Sequence, residues 1–284
     1  MIMLKKQRWR KIPGSEYHKA ESYLKAREKY CIAACARFLR LQENRGHVWF
    51  LPGEGDEISA LLIHSRRSLL PVFGKQNRIP SPRFLNRFLG KVPIHALQGL
   101  QEDVECLESL MEGQGYFASE RIDYELMSLE IPPANASLKP GPPGLVLRPP
   151  RVEDEEELFA LQSAYEKEEV LPKKSTFNPA ACRLNLRHIL SREQVLVAEL
   201  NGHVVGKINT NAESFTMNQV GGVYVRPNYR GLGIGARMSA VFIEDLIKRG
   251  RTPTLFVKKS NTSAYKVYRK IGFHFLANYH IIYY

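Results

Sequence analysis

The chain is poor in the features that mark secreted, membrane-bound or metal-built proteins. Its 284 residues hold four cysteines, Cys31, Cys35, Cys106 and Cys182, and none stands at a metal-ligand spacing. Cys31 and Cys35 fall on one face of a predicted helix without histidine partners, so they read as small buried residues. Reduced thiols and a cytoplasmic location are the plain reading. No stretch approaches the roughly 20 apolar residues of a membrane span. The opening "MIMLKKQRWRK" is too short an apolar stretch for a signal peptide. Runs of Lys and Arg are missing too, as is an aromatic RNA-binding signature. The charge of +12, from 41 Lys+Arg against 29 Asp+Glu, therefore points to a solvated basic surface or a small polyanionic ligand rather than to nucleic acid. Nothing in the sequence sets an oligomeric state.

What is present is ordinary soluble composition, 44% hydrophobic and 25% charged, in a length that suits two domains. One boundary is visible. Ile131 to Pro150, "IPPANASLKPGPPGLVLRPP", carries seven prolines, leaving no room for a helix. The expected organisation is an N-terminal α/β domain over 1–131, a proline-rich linker over 132–144 and a second domain over 145–284.

The second half reads as β-α-(α)-β-β-β-loop-α-β-α-β, a mixed and mostly antiparallel sheet flanked by helices. Asp154 is the expected N-cap of its first helix, with Glu157 completing a capping box. Asn201-Gly202 predicts a two-residue hairpin turn. Gly221 and Gly222 invite a bulge. The first half, beginning with a helix over "YLKAREKYCIAACARFLRL", continues with three strands, a helix, a strand, a helix and a strand. That order repeats the second half and suggests a degenerate tandem copy. An unrelated α/β domain is the alternative.

The stretch "VRPNYRGLGIGARM" from Val225 holds three glycines between a predicted strand and an amphipathic helix. Gly235 is followed by Ala236-Arg237, so it is not a Walker A loop. "GLGIGA" fits the dinucleotide pattern by letter, but five residues separate strand from glycine and no acidic ribose partner follows. An NADP oxidoreductase is thus a weak alternative. The remaining possibility is a pyrophosphate loop, Arg230-Gly231-Leu232-Gly233-Ile234-Gly235. A helix N-terminus offers unpaired N–H groups and positive dipole to such an anion. Arg226, Arg230 or Arg237 can add charge-assisted hydrogen bonds.

These residues resemble the GCN5-related N-acetyltransferase (GNAT) superfamily, and a second motif supports the likeness. Asn261, Ala264, Tyr268, Gly272 and Phe273 in "NTSAYKVYRKIGF" look like that family's N-x-x-A-x-x-x-Y-x-x-x-G-F helix. The resemblance covers about residues 145 to 284. It implies acetyl-CoA as co-substrate, no metal, and an amine acceptor, either a small molecule or a peptide, with direct transfer in a ternary complex. A CoA-binding sensor without turnover is the rival reading. Carried over residue by residue, the cofactor contacts are Val223, Tyr224 and Val225 on the strand, Arg230 to Ala236 (with Leu232, Gly233, Ile234 and Gly235) on the loop, and Asn261 and Ala264. Tyr268 is implied as the general acid. Gln219 cannot accept a proton, so base duty passes to Glu213, Glu199 or a water chain, with Glu213 the expected base. Glu168 and Glu169 are candidates for a cationic acceptor. The N-terminal half, lacking the glycine loop, is expected to be non-catalytic.

Overall fold

The computed structural model describes residues 8–41, 46–55, 57–74, 79–89, 92–131, 141–173 and 175–284. Most of the expected linker, residues 132–140, lies outside the described residues, as do residues 1–7. The chain divides into two compact units, Met1–Glu125 with Ala277–Tyr284, and Leu126–Leu276.

In chain order the first run of elements is β1 (Arg10–Lys11), α1 (Tyr17–Lys25), α2 (Ile32–Leu39), β2 (His47–Pro52), β3 (Ile58–Ser65), β4 (Ser68–Val72), α3 (Pro82–Leu89), β5 (Ala96–Leu100), α4 (Gln101–Glu112) and β6 (Glu120–Ser128). After it come β7 (Val146–Arg148), α5 (Glu155–Tyr165), α6 (Pro179–Arg192), β8 (Val195–Leu200), β9 (His203–Glu213), β10 (Met217–Val225), α7 (Ile234–Lys248), β11 (Thr252–Lys258), α8 (Thr262–Ile271) and β12 (His274–Tyr283). The two runs have the same order, β-α-α-β-β-β-α-β-α-β. The sheets are mostly antiparallel, and the helices cover their faces.

The expected boundaries at 131 and 145 are not where the units divide. In the first unit the strands lie in the order β1-β2-β3-β4-β5-β12, and in the second β6-β11-β10-β9-β8-β7. Tyr279 pairs with Leu100 and Tyr283 with Ala96 across an antiparallel ladder. Meanwhile the Leu129 N–H donates to the Pro253 carbonyl at 3.0 Å. Each run thus gives up its last strand to the other's sheet. The reason is burial: Met127 and Leu129 pack in the core around α7, and Ile282 packs in that of the first unit.

Two further expectations are corrected. The long N-terminal helix is broken at Arg27–Cys31, where both residues leave helical geometry around a 3₁₀ turn, Glu28–Tyr30. Asp154 does not cap α5 through Glu157. Its carboxylate accepts instead from the Arg151 N–H at 2.6 Å and from Arg148 at 2.7 and 2.8 Å. The Arg148 guanidinium accordingly holds it below the usual carboxylate range.

In the second unit, successive side chains of each strand alternate between two layers. One layer packs under α7 and α8, through Ile234, Met238, Phe242, Ile243 and Leu246. The other packs under α5 and α6, where Leu158, Leu161 and Leu186 meet Val197, Val204 and Tyr224. Asn201 and Gly202 form the β8–β9 turn with φ of 53° and 80°, the positive pair that a type I′ hairpin requires.

Candidate active site

The site begins as a fault in the sheet. β10 follows β9 in antiparallel register, but the register slips between Gln219 and Val220 and again between Gly221 and Tyr224. Gly222 has φ of +59°, and a Cβ there would collide with the Asn209 carboxamide. Glycine is therefore required. On its other side β10 pairs with β11 in parallel only over Met217–Val220. Beyond the bulge the two strands part, and the edge of Val223–Val225 turns to the gap between them, where the Val225 carbonyl accepts from Arg230 Nε at 3.0 Å. Pro227, which has no N–H to give a ladder, opens the 3₁₀ turn that ends it.

The glycine loop follows at once. Gly231 and Gly233 have φ of 79° and 81°, and Gly233 is the N-cap of α7. Among the described residues no side chain caps that helix start, so its first N–H groups are available to an anion. Ile234 is buried at 1% exposure; it anchors the helix in the core and can offer a ligand only its backbone. Leu232 points outward, 45% exposed.

A cleft of about 560 Å³ occupies the parting of the strands. Val223, Tyr224, Val225, Arg230, Gly235 and Ala236 line one side; Lys258, Asn261, Ala264 and Tyr268 line another. The structure brings most of the expected cofactor residues together here, while Gly231, Leu232, Gly233 and Ile234 stand outside the lining. Asn261 also caps α8, accepting from the Ala264 N–H at 3.0 Å. Tyr268 is 9% exposed, and burial raises its hydroxyl pKa. It is therefore neutral and holds its proton.

Sequence reasoning missed Ser239 and Lys258. Ser239 sits on the cleft side of α7, 1% exposed, and its hydroxyl has no hydrogen-bond partner among the described residues. A buried orphan donor beside a cleft awaits a ligand. Its position within an apolar helix stripe hides it from any pattern.

Of the three carboxylates singled out in the sequence, one lies away from the cleft and two line it. Glu213 lies outside the cleft: it pairs with Asn218 at the start of β10, six residues or about 20 Å from Tyr224 along the strand. Its carboxylate sits 3.6 Å from Arg251. Glu168 and Glu169, on a π-helical turn over Glu166–Val170, do line the cleft. They face cations already in place. Glu168 accepts from both terminal nitrogens of Arg230 at 2.9 Å and from the Tyr224 hydroxyl at 3.1 Å. Arg230 holds the Glu168 carboxyl below its usual range. Glu169 sits 3.3 Å from Lys258 and accepts from Asn261 at 3.4 Å.

The first unit has a corresponding fault, and it is filled. β4 and β5 pair in parallel only at Ser68–Ala96 and Leu69–Leu97. Beyond that, the Val72 carbonyl accepts from the Tyr23 hydroxyl at 3.2 Å, and the Phe73 N–H donates to Asp103 at 3.1 Å. In this unit side chains of α1 and α4 take backbone groups at the parting of the strands.

Residues 156–273 match the model of the acetyltransferase (GNAT) family. The chain carries a GNAT domain. Its whole fold is shared with solved structures of low sequence identity. A Drosophila protein is 14% identical with TM-score 0.69, over 98% of this chain and 99% of that one. A GCN5-related N-acetyltransferase from Sphaerobacter thermophilus is 19% identical with TM-score 0.61, over 98% and 95%. A tandem GNAT protein from the clavulanic acid biosynthesis pathway is 12% identical with TM-score 0.60, over 98% of both chains. At such identities the likeness is one of fold, and the tandem neighbour fits the doubled element order around the GNAT domain. No curated protein sequence matches the chain.

Proposed function

We propose that the chain is an N-acetyltransferase that moves an acetyl group from acetyl-CoA to an amine by direct transfer in a ternary complex. The observation that carries this reading is a juxtaposition: the parted edge of β10, the uncapped start of α7 and the Tyr268 hydroxyl meet at one cleft. The residues fit the co-substrate. Arg230, Gly235 and Ala236 suit a pyrophosphate at the helix start. The strand edge offers backbone groups to an extended amide arm, as in strand addition. Ala264 leaves room for that arm, and Ser239 supplies an unused donor.

The acceptor nitrogen, as a free amine, attacks the thioester carbonyl. A C–N bond forms and the C–S bond breaks. Tyr268 gives its proton to the departing thiolate, and the proton shed by the new amide nitrogen passes to solvent, from which the tyrosinate regains one. The products are an amide and a free thiol. The position of Glu213 does not support it as the base, so the amine's proton is assigned to solvent at the open cleft.

Incubating the protein with acetyl-CoA and a panel of amines, then assaying free thiol, tests the reading. CoA binding without thiol release from any amine would leave a binding module in its place. Absence of CoA binding would remove the reading altogether.

A further inference from the structure

Lys207 of β9 is a lysine where lysines are rarely found. It is 1% exposed, and among the described residues its amine makes hydrogen bonds only to neutral groups: the Asn209 side-chain carbonyl at 2.9 Å and the Gly222 carbonyl at 3.1 Å. The Tyr165 ring lies 5.1 Å from it. Burying an amine without a bonded carboxylate costs stability, and the fold has no evident need of it.

Its contacts converge on one residue. Gly222 is the bulge that turns β10 away from β11 and opens the cleft. Lys207 holds its carbonyl, and Asn209 fills the space where a Cβ would stand. Asn209 is itself braced, donating to Asn211 at 2.9 Å. Lys207, Asn209 and Asn211 alternate along one face of β9 and form a polar ladder behind the bulge. The very next residues, Val223–Val225, line the cleft.

We infer that Lys207 is a positioning residue of the acetyl-CoA site: through Gly222 and Asn209 it fixes the bulge that sets the cleft-lining backbone of Val223–Val225. This rests on the acetyl-CoA reading given above. Burial lowers the amine pKa to about 7, so the grip on Gly222 changes character near neutrality. An amine and an ammonium bond a carbonyl with different strength. Of the groups facing it, Glu166 and Cys182 act against that lowering, and burial outweighs them. Tyr165 of α5 presents a ring; its hydroxyl pKa is pushed up to about 12 by burial. Glu166, after α5, accepts from Gln162 and Asn185 at 2.9 Å each. Burial raises the Cys182 thiol of α6, so it is protonated.

Two readouts on the full-length protein test the inference. With glycine labelled in ¹⁵N, the Gly222 amide resonance is expected to titrate between pH 6 and 8 in the wild type and to lie flat in Lys207→Met. Calorimetric titration with CoA is expected to give at least a 10-fold weaker Kd for Lys207→Met. A Gly222 resonance without a pH step in the wild type overturns the inference, and that measurement needs no variant to fold. An unchanged Kd in a folded Lys207→Met overturns it as well, leaving the acetyl-CoA reading standing. If wild type binds no CoA although Gly222 titrates, it is the acetyl-CoA reading that fails, and the positioning role falls with it.

Discussion

Glu168→Gln should tighten CoA binding. The terminal nitrogens of the Arg230 guanidinium are held by Glu168, two contacts of 2.9 Å with the partners 44% and 43% exposed, while Nε donates to the Val225 carbonyl. A pyrophosphate at the start of α7 needs that guanidinium and meets the Glu168 carboxylate beside it. Two costs follow. Breaking an ion pair this exposed costs about 0.5–1 kcal/mol. Leaving a carboxylate about 4–5 Å from a phosphate oxygen costs about 1 kcal/mol in water. Glutamine has nearly the same shape, keeps an acceptor for the Tyr224 hydroxyl and removes both costs. The expected gain is therefore about 1.5–2 kcal/mol, on the order of 10-fold to 30-fold in Kd. Isothermal titration of wild type and variant with CoA measures it directly. The gap should narrow in 1 M salt, where screening acts within about 3 Å. If the variant binds CoA no better, or worse, Glu168 serves to orient Arg230 and the competition argument is wrong.

Local chemistry was legible in the sequence and long-range pairing was not. Asn201-Gly202 and Gly221-Gly222 announced a turn and a bulge because positive φ is a property of the residue itself. The loop from Arg230 and the helix from Asn261 were equally plain, being short contiguous patterns. By contrast, the exchange of last strands depends on Tyr279 meeting Leu100, and no local signal encodes a partner nearly two hundred positions away. The break between α1 and α2 contains neither glycine nor proline, so nothing marked it. Glu168 and Glu169 read as candidates for a cationic acceptor, and their contacts with Arg230 and Lys258 were hidden because those residues lie far along the chain. Lys207 stands in an apolar strand, where its amine could as well have pointed to solvent. Glu213 shows the opposite failure: it is a carboxylate near a motif in sequence, carried by strand direction away from the chemistry.

Three more outcomes are expected. Tyr268→Phe should hold its CoA affinity while kcat falls on the order of 10²-fold, the scale of one proton-transfer group; wild-type turnover would mean another acid. Titration should give one CoA per chain, because Tyr23 and Asp103 already occupy the corresponding backbone groups of the first unit; two equivalents would refute this. Asp103 itself should set a pH dependence of stability. Burial raises its pKa from 3.8 to about 6, above the unfolded value, so between those pH values the folded state binds more protons. Its contribution is then greatest below pH 4 and is lost as pH rises through about 6. The full span corresponds to about 3 kcal/mol. Asp103→Asn keeps an acceptor for the Phe73 N–H but cannot ionise. Urea unfolding should find the variant more stable than wild type at pH 7 by up to about 3 kcal/mol and equal to it near pH 4. Other carboxylates titrate alike in both proteins and cancel in the difference. A gap that does not change with pH would mean that Asp103 ionises as freely in the folded protein as in the unfolded chain, and that its carboxylate does not close the first unit's fault as a buried group.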